Sequence, residues 1–142
     1  MKILVATDGS KHALRAVKYA AKLVRLIRSA SNAITLVSVH DDAGLRHAKA
    51  FVGNAEVADY LRELSEKELK PAQKFLATAG VKHDMEIRIG RVAQEIVACA
   101  DAGKFDLIVL GSKGRNAVAD MLLGSVAHRV IAIAKQPVLL VK

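Results

Sequence analysis

The stretch FDLIVLGSKGRNAVADMLLGSVAHRVI, residues 105–131, decides the fold. Its opening, FDLIVLG (105–111), is apolar without a regular polar alternation. A strand of that kind has both faces covered, which is the habit of parallel sheets. From residue 125 the pattern turns helical and runs to 135. Between the two lies a loop punctuated by Gly111, Gly114 and Gly124 and closed by Ser125. Parallel neighbours require a crossover, usually a helix, so one strand–loop–helix unit of this type predicts an α/β chain.

The same alternation extends in both directions. KILVAT (2–7) is a short apolar run ending at Asp-Gly-Ser, and it predicts a buried strand. Leu14, Val17, Ala21 and Val24 then recur at helical spacing, with Ser10 as the expected N-cap. AITLVSV (33–39) reads as a second strand. Residues 40–53 lack a clean period and are expected to be loop, with room for a short helix. A long helix is expected over 54–79, kinked or split at Pro71. Residues 81–90 alternate, with Val81, His83, Met85, Ile87 and Ile89 on one side of a strand. A short helix over 91–104 ends near Gly103, and PVLLVK (137–142) supplies a last strand. The order is β-α-β-α-β-α-β-α-β, hence an open parallel sheet with helices on both faces.

A chain of 142 residues fits one domain, 1–142, with enough core to need no staples. Cys99 is the only cysteine, so no internal disulfide forms, and a cytoplasmic setting is expected. No apolar run reaches the ~18 residues of a membrane span, and the chain opens on a strand rather than a leader. The net charge is +8, and residues 1–30 supply six of those charges. Lys11, Arg15, Lys18, Lys22 and Arg25 recur along one helix face, which suits an anionic partner or a merely solvated surface. Aromatics are 4% of residues and Trp is absent, which disfavours a base-stacking surface for single-stranded nucleic acid.

In open parallel sheets, ligands bind beyond the carboxyl ends of the strands, where the strand order reverses. The Gly111–Ser125 loop leaves such an end. Glycines allow close approach and positive φ, and successive exposed N–H groups form an anion-binding nest. The start of the following helix adds unpaired N–H groups and a favourable dipole, and Lys113 and Arg115 add charge. The loop is therefore a candidate phosphate cradle. Neither the P-loop spacing nor G-x-G-x-x-G is present.

The spacing Gly-x2-Gly-x9-Gly-Ser resembles the nucleotide-binding pattern of the universal stress protein family. The resemblance covers the whole chain: KILVATDGS, LVSVHDD, DLIVLGSKGR, LLGSVAHRVI and QPVLLVK all match. It implies a five-stranded parallel sheet of order 3-2-1-4-5, binding ATP or another adenine nucleotide at its carboxyl edge. Position by position, it implies that Ala6 and Thr7 line the adenine side and that the Val39 backbone meets the adenine edge. Asp8 would face the ribose or a nucleotide-bound Mg²⁺, with Gly111 near the ribose. Gly114, Gly124 and Ser125 would contact phosphates, flanked by Lys113, Arg115 and Val126. The resemblance further implies a homodimer through residues 137–142. Two departures stand out: Lys113 occupies a position where many members have His, and RNAVAD lacks a glycine often found there.

Catalytic machinery is harder to find. There is no G-x-S-x-G elbow and no placed base, so at most slow ATP hydrolysis is expected. A regulatory nucleotide-binding module is the leading reading. A slow ATPase or phosphotransferase, or a polyanion binder using helix 1, are the alternatives. His40, Asp41 and Asp42 are consecutive, so they point to opposite sides and suit a metal poorly. His12, His47, His83 and His128 are scattered, with surface or packing roles expected, and Cys99 is expected to be a buried, inert thiol.

Overall fold

The computed structural model describes residues 1–142, apart from the side chains of residues 44 and 46–48, so His47 lies outside the described residues. Five strands alternate with helices: β1 (Lys2–Ala6), α1 (Lys11–Ile27), β2 (Ala33–His40), α2 (Arg46–Val52), α3 (Asn54–Thr78), β3 (His83–Ile89), α4 (Val92–Ala102), β4 (Leu107–Gly111), α5 (Ser125–Ile133) and β5 (Val138–Val141). All pair in parallel, in the order β3-β2-β1-β4-β5. This is the expected single-domain α/β architecture.

Both faces of the sheet are covered, which explains the unbroken apolar strands. Ile3, Val5, Ile34, Leu36 and Val109 pack under α1 and α3, against Ala16, Val17, Ala20, Leu69 and Leu76. Their neighbours in sequence, Leu4, Val37, Ile108 and Leu110, point the other way, against Ala93, Ile96, Ala127 and Val130 of α4 and α5. Successive side chains of a strand alternate between faces, so central strands must be apolar at every position. α1 runs close to the sheet because its buried positions include four alanines: Ala13, Ala16, Ala20 and Ala21.

Three expectations need correction. Residues 40–53 are not mainly loop, since a 3₁₀ turn (Ala43–Leu45) leads directly into α2. Pro71 does not split its helix, because α3 runs through it for 25 residues. Pro71 is exposed, so the carbonyl it leaves without an intrahelical donor is open to water. The apolar side of β3 is only partly used: Ile87 packs into the core, whereas Met85 and Ile89 are exposed and Val81 precedes the strand. β3 is an edge strand, and α3 alone does not cover it. Gly103 does end α4, but the left-handed residue is Lys104 (φ 51°). Glycine suits position 103 because a Cβ there would run into the Phe105 ring.

Candidate functional site

β2 lies on one side of β1 and β4 on the other, so the strand order reverses between β1 and β4. The chain leaves β1 for α1 on one face and leaves β4 for α5 on the opposite face. The two departing segments diverge and open a cavity of about 360 Å³ above the strand ends. All eleven residues singled out by sequence line it: Ala6 at the end of β1 with Thr7 and Asp8 after it, Val39 on β2, Gly111 at the end of β4 with Lys113, Gly114 and Arg115 after it, and Gly124, Ser125 and Val126 at the start of α5.

Two chemistries line the cavity, and His40 and Asp41 at the end of β2 add polar groups outside the loop. Ala6, Val37, Val39, Val92, Ile96 and Leu110 make an apolar wall. Asp8, Lys113, Gly114, Arg115, Asn116 and Ser125 make the polar end. At that end α5 presents its N-terminus. Gly124 is the N-cap, with no side-chain bond, and Ser125 is the first helical residue rather than a cap. The N–H groups of Ser125, Val126 and Ala127 have no acceptor within the helix, and all three residues line the cavity. Neutral donors and the positive end of a helix dipole meet there, which favours an anion.

The glycines act differently from expectation. None of Gly111, Gly114 or Gly124 has positive φ. Their role is close approach. A Cβ on Gly111 would lie 2.8 Å from the backbone carbon of His12, in the first turn of α1. One on Gly114 would lie 3.1 Å from Asp8 Oδ2. At Gly124 the contacts would be ordinary, 3.4 Å to Lys113 Cα and to the Ser112 carbonyl oxygen. Beside the cavity, the turn with a left-handed glycine is at Gly9 (φ 77°), which sequence reasoning passed over. It turns the chain sharply after Asp8, and a Cβ on it would meet Glu68 Cγ at 3.1 Å.

Asp8 is held in place by the backbone. Its Oδ1 accepts from the Ser10 N–H and its Oδ2 from the Arg115 N–H, both at 2.9 Å. Burial pushes its carboxyl pKa up, but the hydrogen bonds from Ser10 and Arg115 and the Arg115 charge outweigh this and leave it lowered. A lowered folded pKa stabilises the protein above the ordinary value of 3.8, and this contribution is lost as pH falls through the folded pKa. Asp8→Asn should therefore flatten the acid limb of a urea-stability profile below about pH 4. An unchanged limb would remove Asp8 from that role.

Sequence reasoning also missed Glu68. It was visible only as a carboxylate among the apolar positions of α3, between Leu61 and Phe75. It is 8% exposed. Its Oε2 pairs with His40 Nε2 at 2.9 Å, and its Oε1 accepts from the Arg115 guanidinium, which also donates to the Asp8 carbonyl. Residues 8, 40, 68 and 115, from four segments, thus form one polar chain beside the cavity. Lys113 is engaged too, donating to the Ala119 carbonyl at 3.2 Å.

Among the described residues, no three His, Cys, Asp or Glu side chains converge to hold a metal. His40 turns to α3, and Asp42 pairs with Lys49 of α2. Asp8 is the carboxylate at the polar end of the cavity, suited to oxygen coordination of a cation brought by a ligand. Cys99 is buried and donates to Glu86 Oε2 at 3.3 Å. Burial and the neighbouring Glu86 push its thiol pKa up to about 12, so it is inert at neutral pH.

An open parallel sheet with an anion-favouring cavity at its switch point defines a class of ligand-binding α/β proteins. Within that class, the chain belongs to the universal stress protein family, whose family model matches residues 1–142. It is 39% identical over 142 residues to the universal stress protein MJ0531 of Methanocaldococcus jannaschii, covering 99% of this chain and 81% of that protein. The solved structure of MJ0577, from the same organism, superposes with a TM-score of 0.81 at 31% identity, covering 99% of this chain and 94% of that one. A universal stress protein of Archaeoglobus fulgidus, solved in complex with dAMP, superposes with a TM-score of 0.69 at 25% identity, covering 100% and 98%. No described helix is long and apolar enough to cross a membrane.

Proposed function

We propose that this protein binds ATP or another adenine nucleotide in the switch-point cavity and acts in stress physiology as a cytoplasmic, nucleotide-responsive module. The observation that carries this is the division of one cavity into an apolar wall and an anion-favouring end. A planar base fits the first, and phosphate fits the second. Ala6, Thr7 and Val39 take the adenine side; Asp8 and Gly111 take the ribose. Gly114, Gly124 and Ser125, with Val126, Lys113 and Arg115 beside them, take the phosphate end. Mg²⁺ would enter with the phosphates and meet Asp8. The dAMP complex of the Archaeoglobus fulgidus relative supports an adenine nucleotide as the ligand. The test is to denature the purified protein, identify the small molecule released, and titrate the emptied protein with the same compound. Failure to bind any adenine nucleotide would defeat the reading.

Turnover should be slow or absent. Fast phosphoryl transfer needs a positioned nucleophile and charge stabilisation that grows in the transition state. His40 is tied to Glu68, and both cations of the loop are hydrogen-bonded within the protein. Steady-state assays should find rates well below the ~1–10³ per second of ordinary enzymes. A rate within that range, lost in Asp8→Ala or Ser125→Ala, would establish an enzyme instead.

We also propose a homodimer through β5. Its outer edge has no partner strand among the described residues, and Val138–Val141 are only half-buried. Such an edge exposes unpaired backbone groups that a two-fold mate would satisfy. Light scattering should report twice the 15.2 kDa chain mass; a monomer at all concentrations would contradict it.

One observation favours a second reading, a polyanion surface on α1. Lys11, Arg15, Lys18, Lys22 and Arg25 are all exposed, and the helix contains no acid. Like charges at these spacings, with Lys11 at the positive end of the dipole, each cost the helix a few tenths of a kcal/mol. A binding role would explain why that cost is tolerated. DNA retention with a steep inverse dependence on salt supports it, and no retention at low salt rejects it.

A further inference from the structure

Glu68 lies behind the phosphate end of the cavity, outside its lining, yet it holds the one arginine that the loop offers there. The guanidinium of Arg115 is hydrogen-bonded to Glu68 Oε1 and to the Asp8 carbonyl, and the Arg115 N–H is bonded to Asp8 Oδ2. Lys113 is turned to the Ala119 carbonyl. The charge of Arg115 is thus largely spent on Glu68. What remains at the phosphate end is a set of neutral N–H donors from α5, the carboxylate of Asp8, and the Lys113 ammonium turned to a neutral carbonyl. Neutral donors and a helix dipole suit one phosphate group. Each further phosphate adds negative charge near two carboxylates, which the Lys113 ammonium offsets in part and Arg115 offsets only when drawn off Glu68.

We infer that Glu68 is a specificity-determining residue that tethers Arg115 and so sets the phosphate count of the ligand, favouring an adenine nucleoside monophosphate over a triphosphate without a divalent cation. This rests on the nucleotide reading of the cavity. The energetic logic is competition: Arg115 has two anionic partners available, Glu68 or a distal phosphate, and a ligand gains only the difference between them. Glu68 is well placed for this task. It is buried, its other oxygen is fixed by His40, and its stem packs against the turn at Gly9, so it cannot follow Arg115 into the cavity. Burial in a low-dielectric surrounding also strengthens its hold on the guanidinium.

Glu68→Gln isolates the charge. The amide is isosteric and its oxygen still accepts from Arg115, while its NH₂ donates to His40 Nε2 once the imidazole carries its proton on Nδ1. The experiment is calorimetric titration with AMP and with ATP, in EDTA, of wild type, Glu68→Gln, and both again in an Arg115→Met background. Wild type should bind AMP at least as tightly as ATP. Glu68→Gln should raise ATP affinity relative to AMP by tenfold or more, and in the Arg115→Met background that gain should shrink below threefold. Wild type that binds metal-free ATP tenfold tighter than AMP overturns the inference without need of any variant. Equal shifts for both nucleotides in Glu68→Gln overturn it as well, since they mark a purely structural role. A full gain that persists without Arg115 rejects the tether in favour of simple repulsion. Wild type that binds neither nucleotide brings down the cavity reading itself, and this inference with it.

Discussion

Gly114→Val should weaken the proposed adenine-nucleotide binding about a hundredfold, roughly 3 kcal/mol, while the protein stays folded. The Cβ alone comes within 3.1 Å of Asp8 Oδ2, and the branched methyls extend further. The Asp8 carboxylate must then shift, and it is the acceptor that holds the Arg115 N–H and so shapes the loop. Gly124→Val reaches a similar loss by a different route. Its Cβ meets only ordinary contacts, so the backbone stays in place and the side chain's methyl groups crowd the mouth of the cavity beside Ser125. Calorimetric titration checks both, with circular dichroism to confirm folding. Wild-type affinity in both variants would remove the loop from the phosphate site.

Gly111→Ala destabilises the fold itself, by about 1–3 kcal/mol, the usual cost of overpacking. The new Cβ meets backbone, the His12 carbon at 2.8 Å and the His12 oxygen at 3.0 Å, and a helix backbone cannot rotate away as a side chain can. α1 must move off the sheet, although four alanines bring it close. Denaturant unfolding should show a lowered midpoint with an unchanged slope. A Gly111→Ala protein as stable as wild type would mean that α1 is free to slide. Gly111 and Gly114 are three residues apart and both line the cavity, yet a Cβ on Gly111 meets the backbone of α1 and one on Gly114 meets the Asp8 carboxylate. The comparison of stability with affinity separates them.

The element order, the all-parallel sheet and the switch point were legible because they rest on periodicity and on connection rules, which run along the chain. Central strands without polar alternation announce coverage on both faces, as Leu4 and Val5 pack against opposite helix layers. The spacing Gly-x2-Gly-x9-Gly-Ser, joined to the family resemblance, led to eleven residues that do line one cavity. Why each is glycine was not legible. None has positive φ, and the atoms that claim the room around Gly111 and Gly114 belong to residues 12 and 8, about a hundred positions away.

The sequence by itself determined the five strands and every helix but α2, that the sheet is open and parallel, and where along the chain a ligand would be met. Only the tertiary structure decided that Glu68 belongs beside that place, that Arg115 is held by it, and that Gly9 makes the turn that admits it. The physical reason is range. Backbone propensity and burial periodicity are properties of neighbouring residues, and they write themselves into short windows of sequence. The chain of hydrogen bonds from His40 through Glu68 and Arg115 to Asp8 joins segments that meet only when α3 packs over β1 and β2, so no local pattern records it.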